Sequence, residues 1–424
     1  MTLGIGLLGC GTVGGALVGL IDAQPDLEIR QVAVRSTTKA RSAGVSSDLL
    51  TTDAHAVVAR SDVDIVVEVI GGIEPARSLI IEALEAGKPV ATANKELIAN
   101  YGAELLALAE AKGVDLQFEA AVAGAIPIIR ALRASLGGET IHRIAGIVNG
   151  TTNYILTKMT EEGASYGDAL AEAQHLGFAE RDPTADVEGF DAGAKAAIMA
   201  SIAFGADVVA GDVFHEGISN ITSTDIDFAN RLGYQIKLLA IAEQFDANGD
   251  GPSIGVRVHP AMVPDSHPLA SVRESFNAVF VEGDSSGELM FYGRGAGGEP
   301  TASAVLGDVL DAAAALRRGG HRPMPLAQRL PIKPIDDLPS AFCVNLQVTD
   351  APGVLAQVAG ALGENDVSVR VMEQHDIAGE EAGTARLIFI THVAPERQLR
   401  RTLAAFDKLA VVKAIDSVLR VLGE

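Results

Sequence analysis

Apolar residues along this chain come in short runs with two different periods. Leu3-Gly-Ile-Gly-Leu-Leu8 is a continuous apolar run of strand length, and the small residues after Gly11 continue at helical spacing. Residues 27–35, 62–70 and 88–95 repeat the strand pattern, with a helix around 80–86 between the last two. Strands alternating with helices predict an α/β architecture built on a doubly wound parallel sheet. Farther on, Phe118-Glu-Ala-Ala-Val-Ala-Gly-Ala-Ile-Pro127 reads as a strand breaking into a Gly/Pro loop before a helix over 128–133. Residues 141–148 form another strand, which runs into the polar junction Asn149-Gly-Thr-Thr-Asn153. From Gly189 to about Phe204 the residues are small and apolar, as in a buried helix.

The pattern stops between 319 and 340, where five prolines and no periodicity predict a linker. After it, strands at 341–348, 367–372, 386–393 and 414–422, with helices at 353–363 and 395–408, spell a βαββαβ unit of ferredoxin-like type. The expected domains are a dinucleotide-binding unit over 1–130, an α+β substrate and dimerisation unit over 131–299, and a regulatory unit over 341–424. A helix at 300–318 is expected to pack back onto the first unit.

Glycine spacing gives the first unit its chemistry. Gly9-Cys10-Gly11-Thr12-Val13-Gly14 falls at a strand-to-helix junction, the context of a Rossmann-type dinucleotide fingerprint. Gly9 would make the tight turn, Gly11 would let backbone approach a pyrophosphate, and Gly14 would bring helix and strand together, with Thr12 and Val13 opening the helix. Where an NAD enzyme usually carries an acidic residue for the ribose hydroxyls, this chain has Arg35, with Lys39 and Arg41 beyond it. That charge suits a 2′-phosphate and favours NADP over NAD, with dual use left open. Thr92-Ala-Asn-Lys95, after a strand, should approach the nicotinamide half of the cofactor.

The segment 179–195 packs four carboxylates into a loop, Glu180, Asp182, Asp186 and Glu188, and then delivers Lys195 onto a helix, one turn after Asp191. Burial lowers a lysine's pKa and a neighbouring carboxylate raises it, so such a pair holds a proton ready for delivery; the plainer alternative is a surface ion pair. Glu119, beside turned carbonyls, offers a place for a monovalent cation or simply a structural turn. The Asn149 junction binds substrate or caps its helix.

Charge and composition narrow the choice. The net charge of -22 argues against a nucleic-acid partner, and 48% hydrophobic residues in 424 are ample for several cores. Two cysteines, Cys10 and Cys343, give neither a disulfide framework nor a metal cluster. The chain lacks a long apolar stretch and a charged leader, so a cytoplasmic location with no membrane partner is expected.

Taken together, the fingerprint, Thr92-Ala-Asn-Lys95, Glu119-Ala-Ala-Val, Asn149-Gly-Thr-Thr-Asn, the 180–195 segment and Gly293-Arg-Gly-Ala-Gly-Gly resemble homoserine dehydrogenase over about 1–318. The resemblance implies reversible NAD(P)H-dependent reduction of L-aspartate 4-semialdehyde to L-homoserine, on the route to threonine, methionine and isoleucine. It implies Lys195 as proton donor, Lys95 as a second lysine at the reacting centre, and Glu180, Asp191 and Asp186 as residues of the substrate site. Gly177 and Gly297 resemble positions that touch the cofactor. A sodium ion is implied, held by the Glu119 side chain and the carbonyls of Val122, Gly124 and Ile126; Ala125 stands where many members carry a further glycine. The tail, through Thr349-Asp-Ala-Pro-Gly-Val-Leu355, resembles an ACT domain, which implies threonine as a feedback effector or a role in assembly alone. A homodimer or homotetramer is implied, and the fingerprint's position at the start gives the expectation that no kinase domain precedes it. Two rival readings are a dehydrogenase for another amino acid and a threonine sensor without catalysis.

Overall fold

The computed structural model describes residues 2–38, 44–245, 251–322, 324, 329–375 and 383–423. Six strands, Leu3–Leu8 (β1), Leu27–Ala33 (β2), Leu50–Thr51 (β3), Ile65–Glu68 (β4), Val90–Thr92 (β5) and Leu116–Gln117 (β6), form an all-parallel sheet in the order β3-β2-β1-β4-β5-β6. Helices Thr12–Asp22 (α1), Ala54–Ala59 (α2), Ala76–Glu85 (α3) and Lys95–Lys112 (α4) make the crossovers. The order reverses between β1 and β4, and the crevice at the carboxyl ends of strands at such a point is where a doubly wound sheet takes its ligand.

A second sheet gathers Ile141–Ile147 (β7), Phe214–His215 (β8), Tyr234–Phe245 (β9), Ser253–Pro264 (β10), Phe276–Gly283 (β11), Gly287–Arg294 (β12), Pro339–Thr349 (β13), Val369–His375 (β14), Thr384–Thr391 (β15), Ala394–Pro395 (β16) and Val412–Val421 (β17). The main path runs β12-β11-β7-β9-β10-β17-β13-β15-β14, with β8 paired to β10 and β16 to β13. Nine more helices accompany these strands among the described residues: Ile128–Arg130 (α5), Gly150–Glu162 (α6), Tyr166–His175 (α7), Thr184–Val187 (α8), Phe190–Phe204 (α9), Ser223–Arg231 (α10), Gly298–Arg318 (α11), Val354–Glu364 (α12) and Glu396–Phe406 (α13).

Strand β9 is buried on both faces. Ile236, Leu238, Ala240 and Ala242 join the core that includes Ile198 of α9 and Ile155 of α6, whereas Leu239 and Ile241 face Ala261, Val263 and Phe280 on the other side. The last four long strands pair antiparallel in the order β17-β13-β15-β14, with α12 and α13 packed on them through Val358, Leu362, Leu399 and Phe406. This is the ferredoxin-like arrangement expected of the tail. One pairing had no counterpart in the sequence pattern: β17 lies parallel to β10, Ala261 opposite Arg420 and Met262 opposite Val421, so the tail continues the preceding sheet.

Several boundaries differ from the sequence pattern for identifiable reasons. Strand β4 stops at Glu68 because that carboxylate turns back to accept the Ile70 and Gly71 N–H groups. The run expected as a strand from Phe118 becomes a 3-10 turn over Glu119–Ala121, since the Glu119 carboxylate accepts the Ile129 and Arg130 N–H groups at the start of α5. The proline-rich segment is partly docked on β10: Ile254 N–H donates to the Pro331 carbonyl, and Lys333 N–H donates back to the Ile254 carbonyl. Helix α11 shares a core with the first sheet, placing Ala302, Val305 and Val309 with Leu17 and Ile21 of α1. No helix of the described residues is long and apolar enough to cross a membrane.

Candidate active site

The glycine turn is built by two close approaches and one opening. Gly9 has φ of +105°, and a Cβ there would lie 2.8 Å from the Val69 carbonyl oxygen. At Gly14 a Cβ would sit 2.3 Å from the Gly9 carbonyl oxygen, so α1 can lie against the turn only without a side chain there. Gly11 differs: nothing lies within 4 Å of its would-be Cβ. Gly11 caps α1 and Gly297, with φ of +125°, caps α11, and neither end has a side-chain cap. Gly298 abuts Thr12, its would-be Cβ being 3.0 Å from Thr12 Cγ2. Two helix N-termini therefore meet beside exposed Thr12 and half-buried Val13, an arrangement that fits a pyrophosphate. Arg35 is exposed just past β2, whose end is tied to the turn by the bond from Gly9 N–H to the Ala33 carbonyl. Lys39 and Arg41 lie outside the described residues.

At the carboxyl edge of β4 and β5, the fully buried Glu68 accepts the Thr92 hydroxyl at 2.6 Å as well as two N–H groups. Thr92 is equally buried and also accepts the Asn94 N–H, so its side chain is committed to the loop and reaches the crevice only through its neighbours. Asn94 donates to the Gly72 carbonyl and caps α4 at Leu97 N–H, which sets Lys95 as the first residue of that helix. Sequence reasoning passed over Glu68; the available signal was a lone carboxylate closing the apolar strand Ile65-Val-Val-Glu68.

Helix α9 meets α4 at one carboxylate. Lys195 Nζ lies 2.7 Å from Asp191 Oδ2 and donates to the Val148 carbonyl at 2.7 Å, while Lys95 Nζ is ion-paired with Asp191 Oδ1. Asn149 caps its helix, its Oδ1 accepting Thr152 N–H at the start of α6, and its Nδ2 donates to Asp186 Oδ1 at 2.7 Å and Asp191 Oδ2 at 2.9 Å. Burial pushes the Asp191 carboxyl up, but the two ammonium groups outweigh it and hold the carboxyl well below the usual carboxylate range. The lysines move apart: burial, reinforced by the charge on Lys95, lowers Lys195, whereas on half-exposed Lys95 the pull of Asp191 overcomes burial and raises it. Burial also raises Asp186.

Glu180 and Gly177 belong to the loop after α7. Gly177, with φ of +79°, is exposed. Glu180 is exposed too; its carbonyl accepts from Gln174, and among the described residues no ion pair reaches its carboxylate. The loop is anchored by Thr151, whose hydroxyl donates to the Phe178 carbonyl. The structure brings Lys95, Asp186, Asp191 and Lys195 into one cluster through Asn149 and the two ion pairs, and leaves the Glu180 side chain exposed on that loop.

Glu119 is buried beside the loop 122–127. Positive φ falls on Ala123 (+54°) and Gly124 (+57°), and Ala125 carries no such strain. Among the described residues no backbone N–H donates to the Val122 or Gly124 carbonyls, while the Ile126 carbonyl accepts Ile128 N–H. A buried carboxylate with unclaimed carbonyls fits a hard monovalent cation; among the described residues no group of three or more His, Cys, Asp or Glu side chains is arranged for another metal.

A dinucleotide crevice whose edge contributes a lysine to a buried carboxylate on the neighbouring helix defines an NAD(P)-dependent oxidoreductase. The homoserine dehydrogenase family model matches residues 127–310, the model of that enzyme's NAD-binding domain matches 9–119, and the ACT domain model matches 344–411. The homoserine dehydrogenase of Corynebacterium glutamicum is 52% identical, covering 99% of this chain and 95% of that protein. A crystal structure of the Thiobacillus denitrificans enzyme superimposes with a TM-score of 0.91 at 40% identity, over 99% of this chain and 98% of the other. A hyperthermophilic archaeal homoserine dehydrogenase in complex with NADPH matches with a TM-score of 0.64 at 29% identity, over 74% of this chain and 98% of that one. The chain belongs to the homoserine dehydrogenase family.

Proposed function

We propose that the chain reduces L-aspartate 4-semialdehyde to L-homoserine, with Lys195 giving its Nζ proton to the carbonyl oxygen as it becomes an alkoxide. The observation that carries this reading is geometric: Lys195 and Lys95 share the buried Asp191 carboxylate at the end of the dinucleotide crevice, Lys195 nearly enclosed and Lys95 half exposed, and their pKa values are displaced in opposite directions to match. A proton held loosely on Lys195 and tightly on Lys95 gives the two different work: Lys195 donates, and Lys95 stays charged beside the developing oxyanion. Asp191 binds both and orients them. Asp186 and Glu180 would be the partners for the substrate's ammonium group, Glu180 from the exposed loop after α7.

The nicotinamide cofactor would supply the hydride. Gly9, Gly11, Thr12, Val13, Gly14 and Gly297 would hold its phosphates, the loop after Thr92 and Gly177 would line its path, and Arg35 favours NADP, in keeping with the NADPH-bound archaeal relative. Sodium would sit on Glu119 and the carbonyls of Val122, Gly124 and Ile126, balancing a carboxylate that burial otherwise pushes up. Residues 1–130 would carry the nucleotide and 131–299 the substrate and a dimer contact. The tail would bind threonine near Gly353, whose φ of +87° opens α12 without a side-chain cap, and would make the enzyme answer to a pathway end product.

The decisive variant is Lys195→Ala, assayed by nicotinamide absorbance with aspartate 4-semialdehyde. Turnover should fall by about a thousandfold, within the range of a general acid, with NADPH affinity retained. Undiminished turnover would end this assignment. Threonine titration of the same assay tests the tail: inhibition supports an effector site, and indifference supports assembly alone.

A further inference from the structure

Behind the cluster, on the side of α9 away from Lys195, runs the segment 214–219. It begins as β8, paired with β10 through Phe214 opposite Arg257 and His215 opposite Val258, and Glu216 N–H continues the pairing to the Val258 carbonyl at 2.8 Å. Every second residue then touches the catalytic side. The His215 ring lies on α9: a Cβ added to Gly193 would fall 2.0 Å from His215 Nε2, and the ring is 5.0 Å from that of Phe190. Gly193 is halfway between Asp191 and Lys195 in sequence, so it faces away from both, and the ring lies against the face of α9 opposite the two charged residues. At Gly217 a Cβ would lie 2.4 Å from the Val187 carbonyl oxygen. Ile218 N–H donates to that carbonyl at 2.8 Å, and the Ser219 hydroxyl donates to Glu188 Oε1. The segment thus supports both the α8 turn that carries Asp186 and the first turns of α9.

Phe214 and Glu216 face the other way. Glu216 Oε2 accepts Arg420 Nη1 at 2.5 Å, and Arg420 belongs to β17 in the tail. Arg420 is buried, fixed bidentately by Glu396 (Nε to Oε2 at 3.0 Å, Nη2 to Oε1 at 2.6 Å), and its guanidinium lies 5.4 Å from the centre of the Phe214 ring. A planar guanidinium held on two sides by carboxylates and on its face by a ring leaves little room for independent movement.

We propose that 214–219 is a positioning brace for the Lys95–Asp191–Lys195 cluster, and that the Glu216–Arg420 pair ties this brace to the C-terminal domain, so that a displacement of β17 is felt at the reacting lysine. The proposal rests on the assignment of Lys195 above. None of the brace residues touches substrate; they act through α8 and α9.

Two sets of full-length variants test it, with kcat/KM for the aldehyde, its alkaline pH limb and the NADPH dissociation constant as readouts. Glu216→Gln and Arg420→Gln should each lower kcat/KM about three- to thirtyfold, the range of measured coupling effects, and should move the alkaline limb while NADPH affinity stays the same. Combined, they should be no worse than the poorer single variant, because both cut one link. Since Arg420→Gln strands Glu396 and can impair folding, the second set changes no permanent charge. Gly193→Ala should lower kcat/KM by pressing α9 against the ring, and adding His215→Ala should restore it. A purely structural role would lower the melting temperature and leave the limb unmoved. Additive losses in the first set, an unmoved limb, or no rescue in the second would each overturn the proposal. Lys195→Ala run alongside separates the cases: full turnover there removes the acid assignment itself, whereas loss of turnover there with an inert brace removes only this inference.

Discussion

Two buried aspartates in this molecule behave in opposite ways. Asp191 sits between Lys95 and Lys195, and its carboxyl is held far below the ordinary range in spite of its burial. Asp308 of α11 is just as buried, but its neighbours are the Glu119 backbone and carboxylate and the more exposed Arg130, so burial pushes its carboxyl well above the ordinary range. The lesson is that depth alone says little about a carboxylate: the charges in its cage decide whether the neighbouring cations or burial set the direction of its pKa. The first kind of site can do proton chemistry on a neighbour, and the second holds secondary structure together.

Substitution at the two positions should break the comparison open. Asp191→Asn leaves two ammonium groups facing each other with one of them buried, and should destabilise the fold by about 3–5 kcal/mol, the usual result of removing one partner from a buried ion pair. Asp308→Asn keeps an acceptor for the Glu119 N–H and relieves a carboxyl that burial penalises, and should cost no more than about 1 kcal/mol, the scale of a single altered hydrogen bond. Denaturant titrations at neutral pH would measure both, and equal losses would contradict the distinction. The sign in acid follows: Asp191's depressed pKa contributes stability that is present above the ordinary carboxylate pKa and disappears as pH falls through its folded value, so the advantage of the native residue over asparagine should shrink in strong acid.

Smaller effects sharpen the picture at the edge of the cluster. Glu180→Ala should raise the Michaelis constant for aspartate 4-semialdehyde about tenfold, as for loss of one charge-assisted bond, and a change confined to NADPH would argue that Glu180 serves the cofactor. Arg35→Ala should weaken NADPH by a factor of about five, as for one exposed charge contact, and leave NADH unchanged. Equal effects on both would remove the 2′-phosphate reading.

The residues differ in how openly the sequence announces them. The Asp191–Lys195 pair was legible because both members lie on one helical turn, and the glycine turn was legible because Gly9 and Gly14 are demanded by local contacts. Lys95 was legible as a strand-end lysine, but its pairing with Asp191 depends on how α4 meets α9, which no local period encodes. The capping by Asn149 was one of the two uses its position left open, and only the fold shows that the same side chain also holds the Asp186 and Asp191 carboxylates. The β10–β17 pairing and the brace at 214–219 left no trace in the pattern, since an edge pairing of two residues and a ring over a glycine are set by tertiary approach. Ala125, where many family members carry a further glycine, needs no left-handed backbone here: in this loop positive φ falls on Ala123 and Gly124.

The central claim is that Lys195 is the acid and that its neighbours tune it, and the most direct measurement is the alkaline limb of kcat/KM for aldehyde reduction in the intact enzyme and in Lys95→Met. Reduction needs Lys195 protonated, so activity falls as pH rises through its pKa, and the Lys95 charge is one of the forces that lower that pKa. Removing that charge should move the limb to higher pH, even as the rate itself drops. A limb that stays in place, or that moves to lower pH, would contradict the account.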